Sequence, residues 1–417
     1  MSVATDTSDE PRLLAPWVRD SWSLALTYVA ALILGIGVYK FLVPVAVLLA
    51  GAAILVRWRQ FRFDRWRIGF LILTLAAYGW YRFAFILPAA MPDGAQPISL
   101  DLFAVVVLYS VLAFLLAATA GRQAAAIRVV ILISVGMLAK ATMLLAGVAI
   151  VAQLPPPYYN VGGFDPIVGS FLNPNNVNDI AVYSMWTLVA FLAFRPSQFS
   201  RVGLIAGSLL LWWSLMVGSA FSGRTFLAIT AVALAGMMIR YLRSWRAVGV
   251  LLVFVVALVV LHFVAAAAIE FYRAGFDTLV QRVAIEGLNS SRVGLYQSWL
   301  SQFVADPFAR PVVDDDAFSV YWFHDMWMDA HRTSGLLAPI LLLAMWAVPW
   351  VRLFRPLTGG DMTAWSAFVA LGCTTLLVSL SVPIEGGNFA GLAYFSALAA
   401  LIFRIADDFD AATRATR

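Results

Sequence analysis

Long apolar runs alternate with short polar connections along this chain, and the runs recur at the length of a membrane-crossing helix. About 20 apolar residues cover the roughly 30 Å hydrocarbon core of a bilayer. That ruler predicts helices near 21–38, 41–56, 68–90, 101–120, 129–153 and 180–194, then near 202–219, 225–239, 247–268, 335–351, 363–383 and 389–405. Twelve crossings place both termini on one side. Only two connections are long: 155–179, PPPYYNVGGFDPIVGSFLNPNNVND, which lacks Lys and Arg, and 269–334, the one stretch long enough for a small subdomain. The predicted fold is an all-α integral membrane protein of about twelve transmembrane helices with a large helical loop between the ninth and tenth. It divides into 1–268 (nine helices and the loop 155–179), the loop subdomain 269–334, and 335–417 (three helices and a tail). No internal repeat is apparent, which disfavours the inverted-repeat transporter folds.

Composition and charge sharpen this picture. Of the 417 residues 62% are hydrophobic and 12% charged, with a mean hydropathy of +0.86, against about 25% charged in soluble chains. A cytoplasmic enzyme or a nucleic-acid binder is excluded. The connections on the side of the termini, among them RWRQFRFDRWR (57–67), GRQAAAIR, RPSQFSR and RYLRSWR, carry 19 of the 28 Lys and Arg residues. Eight lie opposite, and Lys140 lies within the fifth predicted helix. By the positive-inside rule the basic side is cytoplasmic, and both long loops face the outside. In a bacterium that is the inner membrane with a periplasmic outer face. The N-terminus has no basic region leading to a cleavage site, so the first apolar segment is expected to stay as an anchor. The single Cys373 lies in an apolar run, which gives no disulfide framework.

The candidate chemistry gathers on the outer side. Arg224, in GSAFSGRTFLAIT, stands between two apolar runs with no acidic residue within forty positions. Its fork of donors suits a phosphate, or it snorkels to lipid headgroups. In NSSRVGLYQSWLSQFVADPF, Tyr296, Trp299, Leu300 and Phe303 recur at i, i+3, i+4 and i+7, which predicts an amphipathic helix capped by Asn289 or Ser290. Arg292 falls in its first turn, where free N–H groups also welcome an anion; a solvated surface arginine is the alternative. In YWFHDMWMDAHRTSGLLAPILL two of the three histidines, His324 and His331, share a predicted helix face with Met328. Either histidine can accept a proton near neutral pH. Asp325 and Asp329 are further acid or base candidates, or form local pairs with Arg332. The histidines and Asp314, Asp315 and Asp316 match no metal-ligand spacing, so neither metal nor cofactor is expected. Lys140 either faces a cavity or partner or is neutralised in the core, Arg82 lies near the outer end of the third segment, and His262 reads as a satisfied helix histidine.

Taken in order, these segments resemble the O-antigen ligase and Wzy-type polysaccharide polymerase superfamily. HDMWMDAHRTSGLLAPI is similar to that family's H-N-x-Y-L-x-x-L-x-E-x-G-L signature: His324 falls on its histidine, Trp327 on the aromatic, Met328 on the first leucine, and Gly335 and Leu336 on the closing pair. Arg224 and Arg292 occupy the places of its two loop arginines, and FLNPNNVND resembles its sixth-span start. Asp325 stands where the family has Asn, His331 where it has Leu and Thr333 where it has Glu. The motifs cover roughly 165–345.

The resemblance implies a fold like the C-type glycosyltransferases and transfer of a glycan from undecaprenyl diphosphate to an acceptor hydroxyl on the outer face. Arg224 and Arg292 would bind the diphosphate, which is both handle and leaving group, and His324 would deprotonate the acceptor hydroxyl for inverting attack. His331, Asp325, Arg332, Lys140, Arg82 and Tyr296 are accessory candidates. The acceptor is a second lipid-linked repeat unit for a polymerase, the reading favoured here, or lipid A-core for a ligase. Chain-length regulators or export proteins are the expected protein partners. The competing reading is a transporter or flippase for a lipid-linked glycan, with Lys140, Arg82 and Arg224 along the path.

Overall fold

The computed structural model describes residues 22–37, 42–85, 100–173, 201–223, 245–286, 292–313, 323, 325–379 and 389–415, with isolated positions at 177, 180, 229, 233 and 235. Within them the chain forms thirteen α-helices: α1 (Trp22–Ile36), α2 (Leu42–Val56), α3 (Arg65–Phe85), α4 (Leu100–Ala118), α5 (Gln123–Ala146), α6 (Arg201–Ala220), α7 (Trp245–Ala268), α8 (Glu270–Glu286), α9 (Arg292–Ala305), α10 (Met326–Ser334), α11 (Leu337–Thr358), α12 (Met362–Val378) and α13 (Phe389–Ala415). One antiparallel hairpin, β1 (Gly163–Asp165) and β2 (Ser170–Leu172), interrupts the helical pattern.

By length and composition, Gln123–Val151 and Leu337–Thr358 can each cross a membrane. A third candidate is a bent pair, Val259–Ala268 with Glu270–Ile285, which turns by 116° where α7 meets α8. Five shorter apolar helices lie within α1, α2, α4, α6 and α12. The predicted segments 180–194 and 225–239 lie outside the described residues apart from isolated positions.

α13 occupies the centre. Every residue from Gly391 to Phe403 is buried, as expected of a helix that is apolar all round. It packs on α4, α5 and α11, and Phe395 stacks on Trp346 with ring centroids 3.7 Å apart. Phe70, Phe114 and Phe403 complete an aromatic cluster at centroid distances of 5.0–6.0 Å. α1 and α5 meet backbone to backbone. A Cβ on Gly35 would stand 2.0 Å from the Ile133 carbonyl oxygen, and one on Gly136 would stand 2.2 Å from that of Leu32.

Charged residues knit together the end of the bundle that carries the α2–α3 connection. Arg57 donates to the Thr119 and Ala120 carbonyls that end α4, at 3.1 and 2.8 Å, and to Ser23 Oγ at 3.1 Å. Helix C-termini leave such carbonyls without intrahelical partners. Asp407, on the polar extension of α13, receives Arg67 and Arg352 at 2.8 Å each and Arg62 at 3.6 Å. Asp410 pairs with Arg352 and Arg355, and Arg67 also meets Asp64. At the other end the hairpin folds back onto α5. A Cβ on Gly147 would lie 2.0 Å from the Phe164 carbonyl oxygen, so the residue that starts the π-helical turn Gly147–Val151 has no room for a side chain.

Candidate functional site

At this far end α10 is a nine-residue helix whose start is built by two aspartates. Asp325 is its N-cap, with Oδ1 accepting from the Trp327 and Met328 amides at 2.9 and 3.1 Å. The predicted helix face shared by His324, Met328 and His331 is therefore corrected: the helix begins at Met326, and His324 precedes the cap. A short polar side chain at 325 competes for the free amides and stops the helix there. Asp329, fully buried, turns its carboxylate back towards the chain before the helix. Oδ1 accepts from the Phe323 amide at 2.8 Å and Oδ2 from the Asp325 amide at 3.2 Å. Burial pushes its pKa up to about 7; the Asp325 carboxylate pushes the same way, while the Phe323 amide, the Arg332 charge and the Asp325 amide oppose it.

His331 serves the fold. Its Nε2 lies 3.0 Å from the Pro307 carbonyl oxygen, and since a carbonyl only accepts, that nitrogen carries the proton. Its ring meets Trp299 and Phe303 edge-on at 6.0 and 5.8 Å. Burial holds its pKa below the ordinary histidine value, against the Pro307 bond. Among the described residues of this subdomain Trp299 Nε1, Arg310 Nη1 and His331 Nδ1 are buried without a hydrogen-bond partner.

α9 spans Arg292–Ala305 with Arg292 as its first residue, and its apolar face is narrower than predicted. Tyr296 and Trp299 pack with Met328 against Leu295, Val313 and Phe323, whereas Leu300 is exposed. Two aromatic polar tips meet the end of α12: Tyr296 Oη donates to the Ser379 carbonyl at 3.4 Å and Trp327 Nε1 to Ser379 Oγ at 2.8 Å. The C-terminal end of α10 is tied to α3, with Trp80 Nε1 donating to the Ser334 carbonyl at 3.2 Å and Ser334 Oγ to the Tyr81 carbonyl at 2.8 Å. Arg82 follows Tyr81 in α3. Arg332 is buried on α10 and interacts electrostatically with Asp329.

A second group forms where α6 ends. Ser222 is buried in a left-handed turn (φ 55°), and its Oγ donates to the Gly275 carbonyl of α8 at 2.7 Å. Gly275 admits this contact because a Cβ there would stand 2.6 Å from the Ser219 carbonyl oxygen. Arg282, also on α8, donates to the Ser222 carbonyl at 3.0 Å and lies 3.7 Å over the Tyr159 ring. Three segments far apart in sequence are thereby joined two residues before Arg224. Arg282 was not among the predicted residues; a glycine inside the amphipathic α8 was the one sequence signal of a close crossing there. Lys140, in α5, interacts electrostatically with Asp165 of the hairpin.

His324 and Arg224 lie outside the described residues, as do Asp314, Asp315, Asp316, Asn289 and Ser290. Of Arg292 and Arg82 only the helical backbone is described. Among the described residues no three His, Cys, Asp or Glu side chains gather as a metal site would require. Comparison with family models and with curated proteins finds no match to this chain.

Proposed function

We propose that the protein is an outer-face glycosyltransferase that moves a glycan from undecaprenyl diphosphate to an acceptor sugar hydroxyl, and that it is a Wzy-type polymerase rather than an O-antigen ligase. The observation that supports the reading is that Arg292 is the first residue of α9; Arg224 and His324 themselves lie outside the described residues and enter by their sequence motifs. A helix start offers free amides to a diphosphate, and an arginine there adds bidentate charge.

In this reading Arg224 and Arg292 hold the diphosphate and stabilise the charge that grows on it as the anomeric C–O bond breaks, a large term in a water-poor site. His324 takes the proton of the acceptor hydroxyl as that oxygen attacks the anomeric carbon from the opposite face, contributing about 10²- to 10⁴-fold. Undecaprenyl diphosphate leaves and the configuration inverts, with neither metal nor cofactor in any step. Among the described residues Trp299 and Arg310 carry buried donors without a protein partner, and the reading assigns the acceptor to this subdomain. Twelve crossings of a bacterial inner membrane, both termini in the cytoplasm, and contacts with chain-length or export proteins complete the proposal. The electrostatic attraction between Lys140 and Asp165 supports a lysine compensated inside the protein over the path-lining cation that a flippase would need.

The test is reconstitution of purified protein with an undecaprenyl diphosphate-linked repeat oligosaccharide. A ladder of products with release of undecaprenyl diphosphate is expected, and is abolished by Arg224→Ala, Arg292→Ala or His324→Ala while each variant still folds. Transfer only when lipid A-core is added makes the protein a ligase. Glycolipid crossing the vesicle bilayer without any transfer refutes the enzyme.

A further inference from the structure

We propose that the cavity between the ends of α11 and α13 binds the phosphate of an anionic lipid headgroup. It measures about 260 Å³ and is lined by Arg355, Asp410, Thr413 and Arg414. The inference concerns the basic end of the bundle and stands whatever reaction the opposite end performs. It requires only that the apolar helices lie in a bilayer, which α11 is long and apolar enough to cross.

The chemistry of the lining points to an anion. Both arginines carry a permanent charge and donors in a planar fork, which suits a phosphate. The one carboxylate in the wall is already engaged: Asp410 Oδ1 lies 3.2 Å from Arg355 Nη1, and Oδ2 lies 3.5 Å from Arg352 Nη1. Arg414 has no carboxylate partner among the described residues. Its Nε donates to the Asp410 carbonyl at 3.2 Å, so both Nη groups are left for a ligand. Thr413 spends its hydroxyl proton on the Phe409 carbonyl at 2.9 Å, and the arginines therefore supply the donors. Two helices end here, and a helix C-terminus by itself repels an anion. The carbonyls nearest the cavity are answered from within the protein. The Gly359 amide and the Thr358 hydroxyl each donate to that of Arg355 at 3.0 Å, and Arg414 covers that of Asp410.

The connection between α2 and α3 decides what supplies the phosphate. Trp58, Phe61 and Phe63 form a cluster with ring centroids 4.9–5.4 Å apart, yet Trp58 and Phe63 are exposed, as are Arg59 and Arg62 beside them. Aromatic rings among arginines at the end of an apolar bundle mark the depth of the lipid headgroups. A continuous ionic chain joins this connection to the cavity. Arg62 meets Asp407 at 3.6 Å, Asp407 meets Arg352 at 2.8 Å, and Arg352 and Arg355 share Asp410. The cavity is thereby tied to the level where lipid phosphates are concentrated, and basic pockets between membrane helices suit such headgroups. A lipid seated there binds the folded chain alone and so also stabilises it.

The experiment titrates the delipidated full chain in a non-ionic detergent with dioleoyl phosphatidylglycerol, with dioleoyl phosphatidylcholine and with inorganic phosphate. Lipid retained per chain is read by native mass spectrometry, and the melting temperature is followed in parallel. Wild-type protein is expected to retain phosphatidylglycerol at one tight site and to melt higher with it, and to do neither with the other two at the same concentration. Arg355→Gln with Arg414→Gln should weaken that binding by about 25-fold, roughly fivefold for each arginine. Arg414→Gln alone breaks no ion pair among the described residues and should weaken it by roughly fivefold, which keeps the test open if the double variant does not fold. Arg59→Gln, an exposed charge outside the cavity, should change it by less than about twofold.

Equal affinity in wild type and Arg414→Gln puts the lipid elsewhere and overturns the cavity. Equal retention of phosphatidylcholine shows that net headgroup charge is not recognised and overturns the anionic lipid. Inorganic phosphate that raises the melting temperature as much as the lipid does makes this a site for a free anion, and overturns the lipid as its source.

Discussion

The backbone contact between α1 and α5 makes a quantitative prediction about packing. Alanine at Gly35 puts a Cβ 2.0 Å from the Ile133 oxygen, and alanine at Gly136 puts one 2.2 Å from the Leu32 oxygen. A carbon and a carbonyl oxygen rest at about 3.3 Å or more, so each substitution forces the helices apart by about 1 Å. No rotamer change relieves it, because the partner atom is main chain. A gap of that size forfeits a quarter to a half of the dispersion energy of the atoms facing it, here those of Ala30, Ala31, Leu34, Val129 and Ile133, all buried. Each single substitution is expected to cost about 3 kcal/mol, the upper part of the overpacking range. The two clashes lie on one helix pair and are relieved by one displacement. Gly35→Ala with Gly136→Ala together should therefore cost about 4 kcal/mol rather than about 6, a coupling of the size seen for contacting residues. Thermal and denaturant unfolding in detergent micelles measures all three. Gly69→Ala in α3, where an added Cβ meets nothing within 4 Å, is the control and should stabilise by up to about 1 kcal/mol. Strict additivity of the pair, or single costs below about 0.5 kcal/mol, would refute the reasoning.

Further expectations rest on individual side chains. Asp407→Asn removes one of the two carboxylates that meet Arg67, only 2% exposed, and leaves Asp64 in place; it should destabilise by about 1.5 kcal/mol, the lower end for a hydrogen bond to a charged group, read as a lowered denaturation midpoint. Arg282→Ala removes both the bond to Ser222 and the stacking on Tyr159. Undecaprenyl diphosphate binding should weaken without loss of the melting transition, and Arg282→Lys should not restore it because a lysine lacks the planar fork; unaltered binding would separate the Ser222 turn from Arg224. His331→Ala should lower the melting temperature and leave kcat within about tenfold of wild type, since this imidazole is committed to Pro307; a loss of 10²-fold or more at constant stability would make it the base instead. Asp329 has a folded pKa of about 7 against a reference of 3.8, so its contribution is fully present below about pH 4 and is lost as pH rises through 7. Three pH units correspond to about 4 kcal/mol. Asp329→Asn should therefore gain stability relative to wild type between pH 4 and pH 8, and equal pH dependence of the two melting curves would contradict that sign.

The helices were legible where the sequence varies on the scale of a turn or longer. Runs expected at 21–38, 41–56 and 202–219 are α1, α2 and α6 within a few residues, because a long apolar run of that length without period-two alternation reads as a buried helix rather than a strand. The ruler erred where helix and hydrocarbon part company. α13 continues to Ala415 beyond the expected end at 405, carried by Arg404–Asp408 at i, i+4 and by Asp407 and Asp410 binding arginines of other elements. The hairpin was not legible, since three-residue strands carry no usable alternation and the feature that seats them, Gly147 against Phe164, is a tertiary contact. The same limit governs the site. Histidine and arginine are conspicuous in an apolar chain and were found by type, but the partners that hold them were not. Asp329 and Arg282 act on main-chain groups, which every residue has, so no pattern of side chains marks their targets.

That choice of targets has a chemical consequence. Around the candidate site most of the described restraints run from a side chain to a backbone group: Arg282 to the Ser222 carbonyl, His331 to Pro307, Trp80 to Ser334, Tyr296 to Ser379, and Asp329 to the amides of Phe323 and Asp325, with Trp327 on Ser379 Oγ the side-chain exception. A bond to the main chain fixes where a neighbouring residue's Cα sits and makes no demand on that residue's own donors or acceptors. The basic end of the bundle relies more on side-chain pairs, with Arg67, Arg352 and Arg355 meeting Asp407 and Asp410 beside Arg57 on the Thr119 and Ala120 carbonyls. On this reasoning the two ends should answer differently to salt. High ionic strength should loosen the exposed arms of the lock, Arg62 and Arg355, and lower the melting temperature, while kcat measured below that transition stays constant. A kcat that falls in step with the melting temperature would show that the ionic lock, and not the backbone clamps, positions the reacting groups.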